Sequence, residues 1–225
     1  MKAKISFVFG ILILFSCQRL VAQLPGDSLN QATMYPGYIV TNQQDTIDGF
    51  LYLSNVAANQ YRVFYFTSPD DPESKVKYKP KDLIAYKVGS RLYESFEFKA
   101  TNAMNKRNFF LKVIDGPISM YRWYYEPESR SSKRVMIDEE NLLNSSIDLS
   151  FDESDLTGQD IVIKLGGEPI NLSAPKYLMK FKKHMAALVE EDAELVEKIQ
   201  RKEKGYTFGY QEKIIEEYNH WYENK

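Results

Sequence analysis

The sequence runs to 225 residues, with 29 basic and 31 acidic side chains and a formal net charge of −2. That balance argues against general binding to a phosphate backbone, which depends on a surplus of Lys and Arg, so no nucleic-acid partner is expected. The single cysteine, Cys17, excludes an internal disulfide, and the 14% aromatic content, with 16 Tyr and 13 Phe, suits half-buried pleated sheet.

Lys2 and Lys4 precede an uncharged run over residues 5–15. A membrane-spanning helix needs about 20 apolar residues. The run is shorter and matches the apolar core of a secretory signal peptide, about 7–15 residues long. Residues 1–22 are read as that peptide, with cleavage after Ala22. Leu14-Phe15-Ser16-Cys17 offers an alternative, a bacterial lipobox in which Cys17 is lipidated and becomes the N-terminus. Either route removes the free thiol, so thiol chemistry is not expected in the mature chain. Loss of Lys2, Lys4 and Arg19 takes the net charge from −2 to −5. No later segment is apolar enough to span a membrane as a helix. The expected address is the periplasm, the outer membrane or the cell exterior. About 200 mature residues can bury roughly 70% of their unfolded surface, so stability requires neither metal nor disulfide.

Residues 23–36 mix Pro, Gly, Asp, Ser and Asn without a period and read as a flexible lead. Alternation then sets in. Residues 37–41 form a short strand, 42–45 a polar turn and 46–53 a returning strand. Ile47, Phe50 and Tyr52 are among the apolar members of that strand, and Gly49 marks a bulge. Residues 61–66 form another strand, and the Pro- and Asp-rich stretch 68–73 is a loop. Residues 83–88 and 91–98 flank Gly89-Ser90 as a tight hairpin, because Gly89 can take the positive φ of a II′ turn. Residues 108–115 and 118–125 flank Gly116-Pro117 as a second hairpin, and 160–165 and 168–172 flank Gly166-Gly167 as a third. The polar, acidic stretch 126–151 between them is a long excursion.

Beyond residue 172 the period changes from 2 to 3.6. Leu178, Phe181, Met185 and Leu188 share one helical face, with Ser173 as cap and Pro175 in the first turn. Asp192 caps a second helix carrying Leu195, Val196 and Ile199, and Gly205 ends it. Thr207 caps a third, with Tyr210, Ile214, Tyr218 and Trp221 on one side. These stripes read as core.

Candidate chemistry is sparse. His184 and His220 are the only histidines, on different helices, and no HExxH or CxxC pair accompanies them. No metal, cofactor or catalytic residue is expected. Asp148, Asp152, Glu153, Asp155 and Asp160 crowd one segment whose oxygens could hold calcium, but Glu153 stands where an EF-hand loop requires Gly. A solvated acidic loop is the preferred reading. Asp45 and Asp48 flank a turn; a paired-carboxylate hydrolase would need such acids to face each other roughly 5–9.5 Å apart. Lys75, Lys77, Lys79 and Lys81 share one face of a strand, either as a strip for an anionic polymer or as protection of a sheet edge. The second is preferred.

Gly37-Tyr38-Ile39-Val40 followed by Asp45-Thr46-Ile47-Asp48-Gly49 resembles the opening of an uncharacterised family of exported proteins common in Bacteroidetes. The resemblance extends to the hairpin Phe110-Leu111-Lys112-Val113 … Gly116-Pro117-Ile118-Ser119-Met120-Tyr121. It resumes in the helical tail, at Phe181, Asp192-Ala193-Glu194-Leu195, Ile199 and Ile214-Ile215-Glu216-Glu217-Tyr218-Asn219. It covers most of the mature chain and implies a place in the cell envelope. It carries no established activity. Residues 126–151 are longer than it implies. In that setting Asp27-Ser28-Leu29 and Asp45-Thr46-Ile47 resemble the Asp-Ser/Thr-aliphatic acceptor for O-glycosylation, making Ser28 and Thr46 candidates.

The expectation is an α+β protein: an antiparallel, hairpin-rich region over 37–172, then a small helical region over 173–225. The leading function is non-catalytic binding of an envelope protein or other envelope component. A periplasmic hydrolase using Asp or Glu is one alternative. A glycan-binding module is another, with Tyr121, Trp123, Tyr124 and Tyr125 offering aromatic faces to sugar rings. Alternation allows only part of that run to face outward, and the residues singled out are Tyr121, Trp123 and Tyr125.

Overall fold

The structure, a computed structural model, describes residues 33–54, 56–100, 105–125 and 157–225. The leader, Cys17, Ser28, the long excursion and Asp148, Asp152, Glu153 and Asp155 lie outside the described residues. Among the described residues ten strands form one sheet with every neighbouring pair antiparallel. In chain order they are β1 (Thr33–Thr41), β2 (Thr46–Leu53), β3 (Val63–Phe66), β4 (Val76–Tyr78), β5 (Leu83–Val88), β6 (Arg91–Glu97), β7 (Arg107–Ile114), β8 (Ile118–Tyr125), β9 (Thr157–Lys164) and β10 (Ile170–Asn171). Across the sheet the order is β10-β9-β8-β7-β6-β5-β1-β2-β3-β4, so after β4 the chain returns to lay β5 against β1.

The sheet-rich, mainly antiparallel class agrees with the sequence expectation, and the sheet is more extensive than expected. β1 starts at Thr33 and pairs through Pro36↔Phe50, so the end of the presumed flexible lead is strand. Its turn into β2 is built locally. Thr41 Oγ1 accepts from the Gln43 and Asp45 amides, and Gln44 takes φ 70°. Gly49 is not a bulge, since Gly37↔Gly49 sits in unbroken register. Glycine is needed there because strands approach closely: a Cβ on Gly37 would lie 1.9 Å from the Lys87 carbonyl oxygen, and one on Gly49 2.4 Å from the Tyr65 ring. The inward members of β2 are Leu51 and Leu53; Ile47 is exposed, and Phe50 and Tyr52 are half-buried.

Between β2 and β3 lies a short helix, α1 (Val56–Asn59), that periodicity did not mark. One core gathers Ile39, Leu51, Val56, Leu83, Tyr86, Val88, Phe109 and Leu111. Among the described residues four further helices, α2 (Pro175–Met179), α3 (Phe181–Leu188), α4 (Ala193–Arg201) and α5 (Gln211–Glu223), pack a second core against Ile118, Met120 and Val162. Val113 touches both cores. On the opposite face, Phe110, Tyr121, Trp123 and Ile161 form a third cluster. β7 and β8 are therefore buried on both faces, which explains their near-continuous apolar sequence.

The helical tail departs from expectation at its ends. The first stripe breaks at Lys180 into α2 and α3, leaving Leu178 exposed and burying Tyr177 instead. Ser173 does not cap α2; its Oγ accepts from the Asp160 amide on β9. Asp192 caps α4 as expected, accepting from the Leu195 amide at 3.0 Å. Lys202, at φ 55°, ends α4 before Gly205 is reached. Tyr210 rather than Thr207 occupies the cap position of α5 and stands exposed; Trp221 is partly buried.

β8 has an unusual boundary with β7. Their ladder pairs only Leu111↔Arg122, Lys112↔Tyr121 and Ile114↔Met120. At one end, Gln60 fills the gap. Its Nε2 donates to the Tyr124 carbonyl at 2.8 Å, its Oε1 accepts from the Tyr124 amide at 2.6 Å, and its own carbonyl accepts from the Phe109 amide at 2.9 Å. At the other end, Asn219 of α5 donates to the Ile118 carbonyl and accepts from the Ile118 amide, both at 2.9 Å. Both amide side chains are buried. Each stands in for a strand peptide, because a side-chain amide carries the same donor and acceptor.

Candidate functional site

The aromatic run on β8 is interior. Trp123 is fully buried, Tyr121 nearly so and Tyr125 half-buried. Trp123 meets the Tyr61 ring edge-on with centroids 5.3 Å apart and the Phe110 ring at 5.6 Å. Tyr121 donates to Glu94 at 2.6 Å; burial, reinforced by that carboxylate, pushes its phenol far above the ordinary value. The expected sugar-stacking face at Tyr121, Trp123 and Tyr125 is thus corrected. Neighbouring rings already meet Tyr121 and Trp123, Tyr125 packs half-buried against the same cluster, and Tyr124 is buried on the other side of the strand.

The partly buried carboxylates of the strand and helix packing are held in ion pairs. Arg122 bridges Asp160 on β9 at 2.7 Å and Glu212 on α5 at 2.5 Å. Lys112 joins Glu94 at 2.7 Å and Asp115 at 2.8 Å. Lys164 holds Glu191, and Lys198 holds Glu217. These contacts tie strands and helices together. Asp45 and Asp48 are both exposed. Asp48 lines a shallow cleft of about 600 Å³ over β1, β2 and β5, beside Gly37, Gly49 and Lys87, whereas Asp45 is not part of that lining. The two acids do not converge on one cavity.

His184 stacks on Tyr177 with centroids 5.2 Å apart, while His220 lies exposed beside Asn224. Among the described residues no group of three or more His, Cys, Asp or Glu is arranged to hold a metal. Of the four lysines only Lys77 lies within β4, at the edge of the sheet opposite Phe64; Lys75 precedes the strand with its Nζ 4.4 Å from the Phe64 ring centre, and Lys79 and Lys81 follow it. Lys77 thus sits on an edge strand, while the expected four-lysine strand face does not form. Thr46 is exposed at the start of β2. No helix among the described residues is long and apolar enough to cross a membrane.

The feature that sequence reasoning missed lies on the helical side. A groove of about 500 Å³ runs between the α2–α3 junction and the loop joining α4 to α5. Its floor contains Phe181, Ile199 and Tyr206. Met179 projects beside it with 85% of its surface exposed, and Phe208 stands at 55%, its ring meeting Phe181 edge-on at 6.1 Å. Lys180, Lys182, Lys183 and Lys202 line the same groove, all exposed, and no acidic residue does. Among the described residues none of these lysines has a salt-bridge partner. The adjacent Leu178-Met179-Lys180 and Lys182-Lys183 were visible in the sequence. A continuous helix there would have turned Leu178 inward, and the break at Lys180 turns it out.

Compared with known proteins, the chain matches no family model, no curated protein and no solved structure.

Proposed function

We propose that this protein is an exported, non-catalytic component of the cell envelope that binds another envelope component through the lysine-rimmed groove. The supporting observation is the projection of Met179 and Phe208 among lysines that have no salt-bridge partner among the described residues. Exposing large apolar side chains to water is unfavourable, and apolar groups gathered with one sign of charge are the usual mark of a binding surface. The signal-peptide pattern and the resemblance to exported Bacteroidetes proteins support the envelope address. The fully paired carboxylates at Arg122, Lys112, Lys164 and Lys198 weigh against the hydrolase alternative.

The test is crosslinking in intact envelopes, followed by recovery of the exported protein. Wild type is expected to retain a reproducible protein or lipid adduct that Met179→Asp and Phe208→Asp lose. Equal recovery from wild type and both variants would sink the groove as the binding site. Intact mass on the same sample reads the processing site, any lipid at Cys17 and any O-glycan on Ser28 or Thr46.

A further inference from the structure

We infer that the groove region is a docking surface for an anionic lipid bilayer, with Met179 and Phe208 entering the interface and the surrounding lysines meeting the headgroups. The inference rests on the binding reading above and names its partner. Three observations favour lipid over a protein segment.

First, the available apolar area sits on the tips and not on the floor. Phe181 and Ile199 are already 8% and 1% exposed, so they offer little to an inserted anchor side chain. Met179 and Phe208 stand out from the body, and Leu178 beside them is 37% exposed. Projecting side chains suit a fluid apolar phase that can close around them; a shallow groove with a covered floor suits a protein hot spot poorly.

Second, the charge is local and of one sign. The chain as a whole is net acidic at −2, yet the groove takes four lysines and no carboxylate. Basic clusters of this size are drawn to anionic headgroups over roughly a Debye length, about 10 Å at moderate salt. Lysine also suits the level at which it would lie, because its stem can follow apolar side chains inward while the ammonium stays in water.

Third, the two tips come from separate elements. Met179 ends α2, and Phe208 lies in the α4–α5 loop between Gly205 and Gly209, at φ 89° and 97°. The Phe181–Phe208 ring contact ties the two sides together. The tips are therefore presented by the folded body, and binding does not require a segment to fold.

The experiment uses the chain purified from an exporting host and mixes it with vesicles of phosphatidylcholine alone or of phosphatidylcholine with phosphatidylglycerol. Co-flotation is expected only with the phosphatidylglycerol vesicles, and high salt should release it. Each lysine removed is expected to lower partitioning about fivefold, so Lys180→Glu/Lys183→Glu should abolish it. Met179→Asp and Phe208→Asp should each lower it by about tenfold or more, and Met179→Leu should preserve it. Lys81→Glu, near the other edge of the sheet, should change little. Circular dichroism on every variant separates lost binding from lost folding. Equal flotation of wild type and the aspartate variants would overturn the inference. If vesicles fail while a photo-crosslinker at position 179 captures an envelope protein, lipid is wrong and the binding reading stands. If both fail, both readings fall.

Discussion

Gln60 and Asn219 show how much a single amide can carry. Each satisfies both the backbone donor and the backbone acceptor of one β8 residue in a place closed to water. Leaving one such group unpaired costs about 1–3 kcal/mol, and two are exposed to that loss at each site. Asn219→Ala is therefore expected to lower unfolding free energy by about 2–6 kcal/mol, read by urea denaturation. Asn219→Asp should cost more, because the oxygen that replaces Nδ2 would confront the Ile118 carbonyl at a position now 2.9 Å away. An unchanged midpoint in either variant would refute this account. Neither amide role could be read from the sequence. Their partners lie 64 and 101 residues away, and an isolated Gln or Asn carries no local mark of such a duty.

The hairpins were legible because their chemistry is local: Gly89 takes φ 57°, Gly166 φ 74°, and strand alternation resumes on either side. Where strands are buried on both faces, alternation disappears, and the aromatic run of β8 passed for a surface. Helix ends were misread for a related reason. Ser173 and Thr207 are good caps in isolation, but Ser173 is drawn to the Asp160 amide on β9, so tertiary demand overrides local preference. The contacts that dock the helices make the region acid-sensitive. Glu191 accepts from Lys164 at 2.7 Å and from Tyr218 at 3.1 Å, and the Lys164 ammonium holds its carboxyl below the usual range. Burial pushes Glu217 up, but hydrogen bonds from Lys198 and Tyr206 outweigh it and leave the net shift downward. Carboxyls with a folded pKa below the unfolded value, about 4.3, contribute fully above that pH. Their contribution is lost as pH falls through the lower folded values. Near-ultraviolet circular dichroism and tryptophan emission are expected to change cooperatively in that window. Glu191→Gln should make the acid dependence shallower; the same steepness in the variant would remove Glu191 from the explanation.

At the scale of the whole molecule, the sheet and the helical tail are one body, because Val113 belongs to both cores and Arg122 reaches from β8 to Asp160 and Glu212. The overall class was legible from the change of period near residue 172. The groove was not, since it depends on two chain breaks brought together by packing. The placement of Asn219 also gives folding an order in time. A chain synthesised or translocated only as far as β9 holds β8 with one end still unmatched, and closure waits for a residue 101 positions beyond Ile118. Closing a contact over so long a loop carries a high entropy cost, so it is expected to form after the folding transition state, and its loss to act on escape from the native state. In stopped-flow experiments Asn219→Ala is expected to accelerate unfolding and leave refolding nearly unchanged; slower refolding instead would place Asn219 in the nucleus. For a protein read as exported, a sheet sealed only by its last helix remains an unfinished, threadable chain until that helix has arrived.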